Sequence, residues 1–365
     1  MKAISFIIKC TRNCNFSCSY CTNYRNDGSF IGFDTVIPFL SSCLNYCDDT
    51  KLTFIYHGGE PLLLRDSYFI KYLYIQRLGR LQGQKIENIL QTNGSLINDK
   101  WIAFFENHNI VVGVSLDGPQ VLNYKTRRYR NNTDPFNDVI RNIEKLNKST
   151  VNYGVLSVIS DKVYHYDTHK YFNFFLDSNI NNVALLIERP PEIKFHNIDE
   201  QKAFYASRRN YAKFMCLMFD YWINTNNDQF RIRELSSMLD LLLGGTSKIC
   251  TYSGACVGKY YGIDVTGSIA HCDKFFNDDR FTFGATKGTT LSDIANSSSL
   301  AEAQIMESSI RNKCTTCEWF NVCKGGCLHE AMLFNDNGIG NRVDYCHSRM
   351  IFNHINEYLM KISPK

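Results

Sequence analysis

The sequence predicts an α/β fold in which a partial (β/α)6 TIM-like barrel is followed by a cysteine-rich domain. Three observations predict it. Six short runs of β-branched and aromatic residues recur in the first half, segments of helical apolar spacing separate them, and eight of the 15 cysteines fall from Cys250 onward.

The runs span residues 3–9, 52–56, 86–90, 110–114, 151–159 and 183–187, each short and apolar enough for a buried parallel strand. Between them, Phe69, Tyr72, Leu73 and Ile75, then Trp101, Phe104 and Phe105, then Val139, Ile143 and Leu146 recur at helical spacing. Six βα units make an incomplete barrel, not a closed eight. In α/β barrels the reactive groups sit on loops leaving the carboxyl ends of strands. A loop with Cys14, Cys18 and Cys21 follows strand one, His57-Gly58-Gly59-Glu60 strand two, Gln91-Thr92-Asn93-Gly94 strand three, and Ser115-Leu116-Asp117-Gly118 strand four. Pro190 and Pro191 break the pattern, and residues 203–222 and 232–243 read as helices leading to Gly244 and Gly245. The expected division is a barrel over 1–192, a helical linker and substrate-binding segment over 193–249, and the cysteine-rich domain over 250–365.

Hydrophobic residues make up 44% of the chain, enough for a large core, and 40 Lys and Arg against 36 Asp and Glu leave a net charge of +4. So small a charge excludes a field suited to nucleic acid. No segment reaches the ~20 apolar residues of a membrane span. The first nine residues read as a strand, not a signal peptide, so the expected location is cytoplasmic and the cysteines are expected to bind metal or do chemistry, not to form disulfides.

Thiolates are soft ligands suited to iron–sulfur clusters, and three of them leave one iron of a four-iron cluster open to a small molecule. A zinc knuckle completed by another ligand, Cys10 for instance, fits the same loop. The segment Thr11-Arg12-Asn13-Cys14-Asn15-Phe16-Ser17-Cys18-Ser19-Tyr20-Cys21 closely resembles the signature of the radical S-adenosylmethionine superfamily. The resemblance implies that Cys14, Cys18 and Cys21 hold a 4Fe–4S cluster shielded by Phe16 and Tyr20, and that Gly58, Gly59 and Glu60 meet the methionyl amine of S-adenosylmethionine. Ser115, with one of Arg127, Arg128 or Arg130, is implied to meet its ribose or carboxylate. Asp117 reads as a turn former.

Cys256, Gly267, Cys272, Cys314, Cys317, Cys323, Cys327 and Cys346 resemble the SPASM domain of radical enzymes that modify peptides and proteins. By residue-wise resemblance to sulfatase-maturing enzymes, Cys250, Cys256, Cys272 and Cys327 would ligate one auxiliary cluster and Cys314, Cys317, Cys323 and Cys346 another, giving three 4Fe–4S clusters in all. Two structural zinc sites are the alternative for this half. Cys10, Cys43, Cys47 and Cys216 read as buried thiols.

The implied reaction is reductive cleavage of S-adenosylmethionine to a 5′-deoxyadenosyl radical, which takes a hydrogen from a residue of a peptide substrate in a net two-electron oxidation. An external flavodoxin- or ferredoxin-type donor would supply the electron. Asp273, directly after Cys272, looks like the base of sulfatase-maturing enzymes, or else forms an exposed pair with Lys274. Those enzymes usually carry Gln before the Gly-Gly-Glu motif, whereas Tyr56-His57-Gly58-Gly59-Glu60-Pro61-Leu62-Leu63 looks more like maturases of ribosomally made peptides. The expectation is therefore a side-chain cross-link, a cyclophane, ahead of formylglycine formation, with His57 either functional or simply packed. Thirteen residues before Cys14 leave no room for a separate leader-binding domain. A non-catalytic iron–sulfur or zinc scaffold that binds peptides and a small-molecule dehydrogenase remain as alternatives.

Overall fold

The computed structural model describes residues 2–21, 27–46, 49–190, 195–336 and 342–362. Cys47, Pro191 and the 192/193 boundary lie outside the described residues. In chain order the described residues form β1 (Lys2–Thr11), α1 (Phe33–Leu44), β2 (Thr50–Gly58), α2 (Asp66–Gly79), β3 (Lys85–Thr92), α3 (Asp99–His108), β4 (Ile110–Ser115), α4 (Gln120–Thr126) and α5 (Phe136–Asn147). There follow β5 (Tyr153–Ile159), α6 (Asp161–Tyr164), α7 (Thr168–Asp177), β6 (Asn182–Ile187), α8 (Ile198–Ile223), β7 (Arg231–Ile232) and α9 (Arg233–Leu242). The last part holds β8 (Tyr260–Ile263), β9 (Ser268–His271), β10 (Thr282–Ala285), α10 (Leu291–Ala295), α11 (Ser298–Asn312), α12 (Phe320–Cys323), α13 (Leu328–Asp336) and α14 (His347–Ile362). All six expected strands are present. The helix expected over 203–222 starts earlier, because Asn197 accepts hydrogen bonds from the Asp199 and Glu200 N–H groups and caps α8.

Two compact units result, and neither is continuous in sequence. The first comprises Met1–Ser115, Arg127–Tyr153 and Ala255–Met306. Its strands β1 to β4 pair in parallel in sequence order. Side chains alternate across β1, so Phe6, Ile8 and Cys10 are fully buried on the helix-covered face, with the Phe6 ring 6.0 Å from Phe39 of α1. Residues 5, 7 and 9 therefore line the opposite, barrel-facing side. On the free edge of β1, β8 adds in parallel and the β8–β10 meander continues antiparallel. An uncovered β1 edge would expose a row of backbone donors and acceptors. The cysteine-rich half thus contributes residues 255–306 to the same unit as the first four strands.

The second unit comprises Leu116–Thr126, Gly154–Gly254 and Glu307–Lys365. Here β5, β6 and β7 pair in parallel, and α8 packs on α7 and α14. Arg208 of α8 is its largest buried side chain. Its Nε and Nη2 donate to the two oxygens of Glu330 on α13 at 2.6 and 3.1 Å, and its guanidinium lies 3.8 Å from the Phe204 ring centroid. Removing one partner of such a pair strands the other charge in the core. Arg208→Met is expected to lower unfolding free energy by about 3–5 kcal/mol in a denaturant titration, and Arg208→Met with Glu330→Leu to recover most of that loss.

Candidate active site

The first unit assembles its site from the loops after β1 to β4. Gly58 sits at φ +134°, in a region that favours glycine, and a Cβ there would lie 2.4 Å from the Thr11 carbonyl oxygen. A Cβ on Gly59 would lie 2.0 Å from the Asn13 carbonyl oxygen. The bare backbone can therefore dock on the cysteine loop, with Gly59 N–H donating to Thr11 O and Glu60 N–H to Asn13 O, both at 2.7 Å. The Gly-Gly-Glu segment is a clamp on the cysteine loop. From the other side, Ser17 N–H donates to Arg128 O at 2.9 Å and Arg130 N–H to Asn15 O at 3.1 Å, while Phe16 packs edge-on against Tyr129 at 5.0 Å.

Two of the three thiols, Cys14 and Cys18, have donors suited to cluster thiolates. Cys14 Sγ accepts from Phe16 N–H at 3.4 Å and from Asn93 Nδ2 at 3.8 Å, and Arg127 Nη1 lies 3.9 Å from Cys18 Sγ. Burial pushes the Cys14 thiol up to about 12, with Glu60, Cys18 and Cys21 adding to the shift. A soft donor set with N–H groups aimed at sulfur fits an iron–sulfur cluster, whose binding expels that proton. Among the described residues no three His, Cys, Asp or Glu converge on a single metal-ion position. Cys10, the proposed fourth zinc ligand, lies on the opposite face of β1, wholly buried with its thiol donating to Ile8 O. Beside Cys14 opens a cavity of about 660 Å³, walled also by Asn13, Asn15, Leu63 and Arg130.

The other expected residues fall as follows. Glu60 is fully buried, and its carboxylate accepts from Leu62 N–H (2.9 Å), Thr92 Oγ1 (2.8 Å) and Asn93 N–H (2.7 Å). It ties the loops of β2 and β3 together. Arg127 is buried, with its guanidinium 5.4 Å from the Tyr20 ring centroid as well as beside Cys18. Ser115 Oγ accepts from Gln91 Nε2 at 2.9 Å. His57 Nδ1 accepts from Gly58 N–H at 2.6 Å, and its ring is half-buried, not sealed in the core. In the second unit the Asp117 carboxylate accepts from Thr126 Oγ1 at the end of α4 and from Val158 N–H of β5, so it joins those two elements.

Burial, opposed by those three hydrogen bonds, raises the Glu60 carboxyl to about 7. The native state therefore keeps a proton that the unfolded chain releases near its ordinary value of 4.5. This contribution to stability is complete below pH 4.5 and is lost as pH rises through about 7, a change of about 3 kcal/mol. Denaturation of the cofactor-free protein at pH 5 to 8 should show wild type losing stability relative to Glu60→Gln as pH rises.

Asp273 Oδ2 lies 3.6 Å from Nζ of Lys9, whose side chain is 3% exposed. Also in this unit, His271 Nε2 lies 3.3 Å from Cys256 Sγ while its Nδ1 meets Tyr260 O at 3.1 Å. In the second unit, burial pushes the Cys317 thiol up and Cys346 is close enough to add to the shift. Cys323 and Cys346 likewise add to the burial that raises the Tyr252 phenol. Arg311, paired with Glu307 at 2.9 Å, donates to Lys324 O at 3.0 Å and so braces the turn between Cys323 and Cys327. Lys9, Asn93 and His271 had no assigned role in the sequence reading. A lone lysine in the apolar run Phe6-Ile7-Ile8-Lys9-Cys10 was the available signal for the first.

Residues 8–161 match the model of the Radical SAM superfamily, and residues 255–318 that of SPASM, an iron–sulfur cluster-binding domain. The chain is 29% identical over 344 residues to a cysteine-type anaerobic sulfatase-maturating enzyme of Clostridium perfringens, covering 90% of this chain and 89% of that protein. A serine-type anaerobic sulfatase-maturating enzyme of Bacteroides thetaiotaomicron is 27% identical over 336 residues, or 86% and 80% of the two chains. Among solved structures, native anSMEcpe with bound AdoMet superposes with a TM-score of 0.84 at 26% identity, covering 98% of each chain. Streptococcus suis SuiB bound to its precursor peptide SuiA gives a TM-score of 0.55 at 15% identity over 90% of this chain and 72% of that one, a likeness of fold alone.

Proposed function

Because the chain is a radical S-adenosylmethionine enzyme with a SPASM domain, a maturase that uses 4Fe–4S clusters to modify a peptide or protein, we propose that it oxidises a cysteine or serine of a sulfatase to formylglycine. This reverses the order expected from His57 and its flanking motif. The relatives matched over most of the chain are sulfatase-maturating, whereas the likeness to SuiB bound to precursor peptide is one of fold alone. The observation that carries the reading is Asp273, a carboxylate beside Cys272 held by a buried ammonium.

Cys14, Cys18 and Cys21 would hold the radical-forming cluster, and Tyr20, Ser115, Arg127 and the Gly58–Gly59 backbone would surround S-adenosylmethionine. Cys314, Cys317, Cys323 and Cys346 would hold an auxiliary cluster. Cys250, Cys256, Cys272 and Cys327 are the set assigned to the other by resemblance. When bound, these groups supply the one-electron chemistry: removal of a hydrogen atom from the substrate β-carbon and acceptance of the electron left behind. The chain's own residues supply the proton acceptor. The S–H or O–H proton passes to a carboxylate oxygen of Asp273, leaving from cysteine a thioaldehyde that water converts to the aldehyde with release of hydrogen sulfide, or from serine the aldehyde directly. A flavodoxin- or ferredoxin-type carrier would serve as one-electron donor, residues 193–249 as part of the substrate-binding surface, and the cytoplasm as location, where the 15 cysteines would stay reduced. Among the described residues no helix is long and apolar enough to cross a membrane.

The test is anaerobic reconstitution with a reductant, S-adenosylmethionine and a sulfatase-derived peptide, read by mass spectrometry after hydrazine trapping. An aldehyde at the target residue supports formylglycine formation. Loss of two hydrogens with no trappable aldehyde in a ribosomal precursor peptide supports the cross-link instead.

A further inference from the structure

We infer that Lys9 is a positioning residue for the reaction, fixing the Asp273 carboxylate where it can take the substrate's proton. The inference rests on the reading of Asp273 as proton acceptor. Alternation along β1 puts Phe6, Ile8 and Cys10 against the helices and turns Lys9 to the barrel side, level in register with His57 of β2. There Lys9 is 2% exposed, and an ammonium so buried is costly unless an anion meets it.

That anion is 264 residues away in sequence and arrives by a specific turn. Cys272 takes φ +49°, a left-handed conformation unusual outside glycine, directly after β9. Beneath the turn, Gly262 of β8 lets the Cys272 carbonyl approach so closely that a Cβ would lie 2.5 Å from its oxygen. The carboxylate is thus placed by the β8–β9 pair on one side and by Lys9 on the other.

Exposure assigns the roles. The Lys9 side chain is 3% exposed and that of Asp273 is 17% exposed, so the cation is sealed and the carboxylate keeps an open edge. Lys9 therefore acts through Asp273 and does not itself meet substrate. A leucine would fill the same space at less desolvation cost, so charge at this position is explained by placement of the carboxylate, not by packing.

The test uses reconstituted holoenzyme and a sulfatase-derived peptide, and reads formylglycine formed per 5′-deoxyadenosine released. Lys9→Met should keep iron content, 5′-deoxyadenosine release and peptide KM, while this ratio falls at least about tenfold. Lys9→Arg, which keeps the charge, should restore much of the ratio. Lys9→Met combined with Asp273→Asn should be no worse than Asp273→Asn alone, as for residues that act as one unit. If Lys9→Met does not fold, the ratio is read in Lys9→Gln, which has the amide but not the charge. An unchanged ratio in the folded neutral variant overturns the inference. If Asp273→Asn itself makes product at the wild-type ratio, the acceptor reading fails first, a result distinct from failure of Lys9 alone.

Discussion

Cys18→Ala is expected to abolish 5′-deoxyadenosine formation while leaving the rest of the molecule folded. The loop clamped by Gly59 and Glu60 offers three thiolates, and a cluster held by two cannot keep three irons ligated with one open. Bound iron should fall by roughly a third, because the cysteines from Cys250 onward are untouched. Stability of the cofactor-free protein should change by no more than about 0.5 kcal/mol, since Cys18 is half-buried on a loop and lies outside the core. Cys10→Ala supplies the contrast. Its thiol is sealed on the helix side of β1, so that variant should lose core packing yet keep the cluster and its chemistry. A Cys18→Ala protein with full iron and undiminished 5′-deoxyadenosine formation would sink the cluster assignment.

The strands and the cysteine loop were legible because each is a local pattern. Apolar β-branched runs must be buried, and three thiols within eight residues advertise a ligand loop on any fold. The register of polar motifs behind successive strands was legible for the same reason. What was not legible depends on closure of the chain. Asn93 was visible only as part of a turn motif, yet its backbone N–H holds Glu60 while its amide meets Cys14 and Asn15. Glu60 reads as a ligand in one dimension and is a buried strut in three. Within the first unit, Tyr56, Gln76 and Asn88 form a closed hydrogen-bonded network inside what looks, by apolar spacing, like a plain hydrophobic seam. The cysteine-rich half looked separable because its composition changes at Cys250. Its strands β8 to β10 nevertheless complete the edge of β1, a need of sheets that composition does not record.

Asp273→Asn is expected to cut formylglycine formation by about 10²–10⁴-fold while 5′-deoxyadenosine continues to appear. The order of events decides this. In formylglycine formation as proposed, the hydrogen atom would leave the substrate carbon before the proton leaves sulfur or oxygen, so loss of the acceptor would leave the first step intact and stall the second. Asparagine preserves volume, and its carbonyl oxygen can still meet Lys9, so the cost in stability should stay near about 1–3 kcal/mol, that of weakening one buried charged contact. Asp273→Glu keeps the charge but moves it by a methylene, and should fall between the two because position and charge are both required. Cys18→Ala removes both products together, whereas Asp273→Asn separates them. If the two products instead fall in parallel in Asp273→Asn, the carboxylate acts before or during hydrogen removal, and its place in the sequence moves to substrate binding.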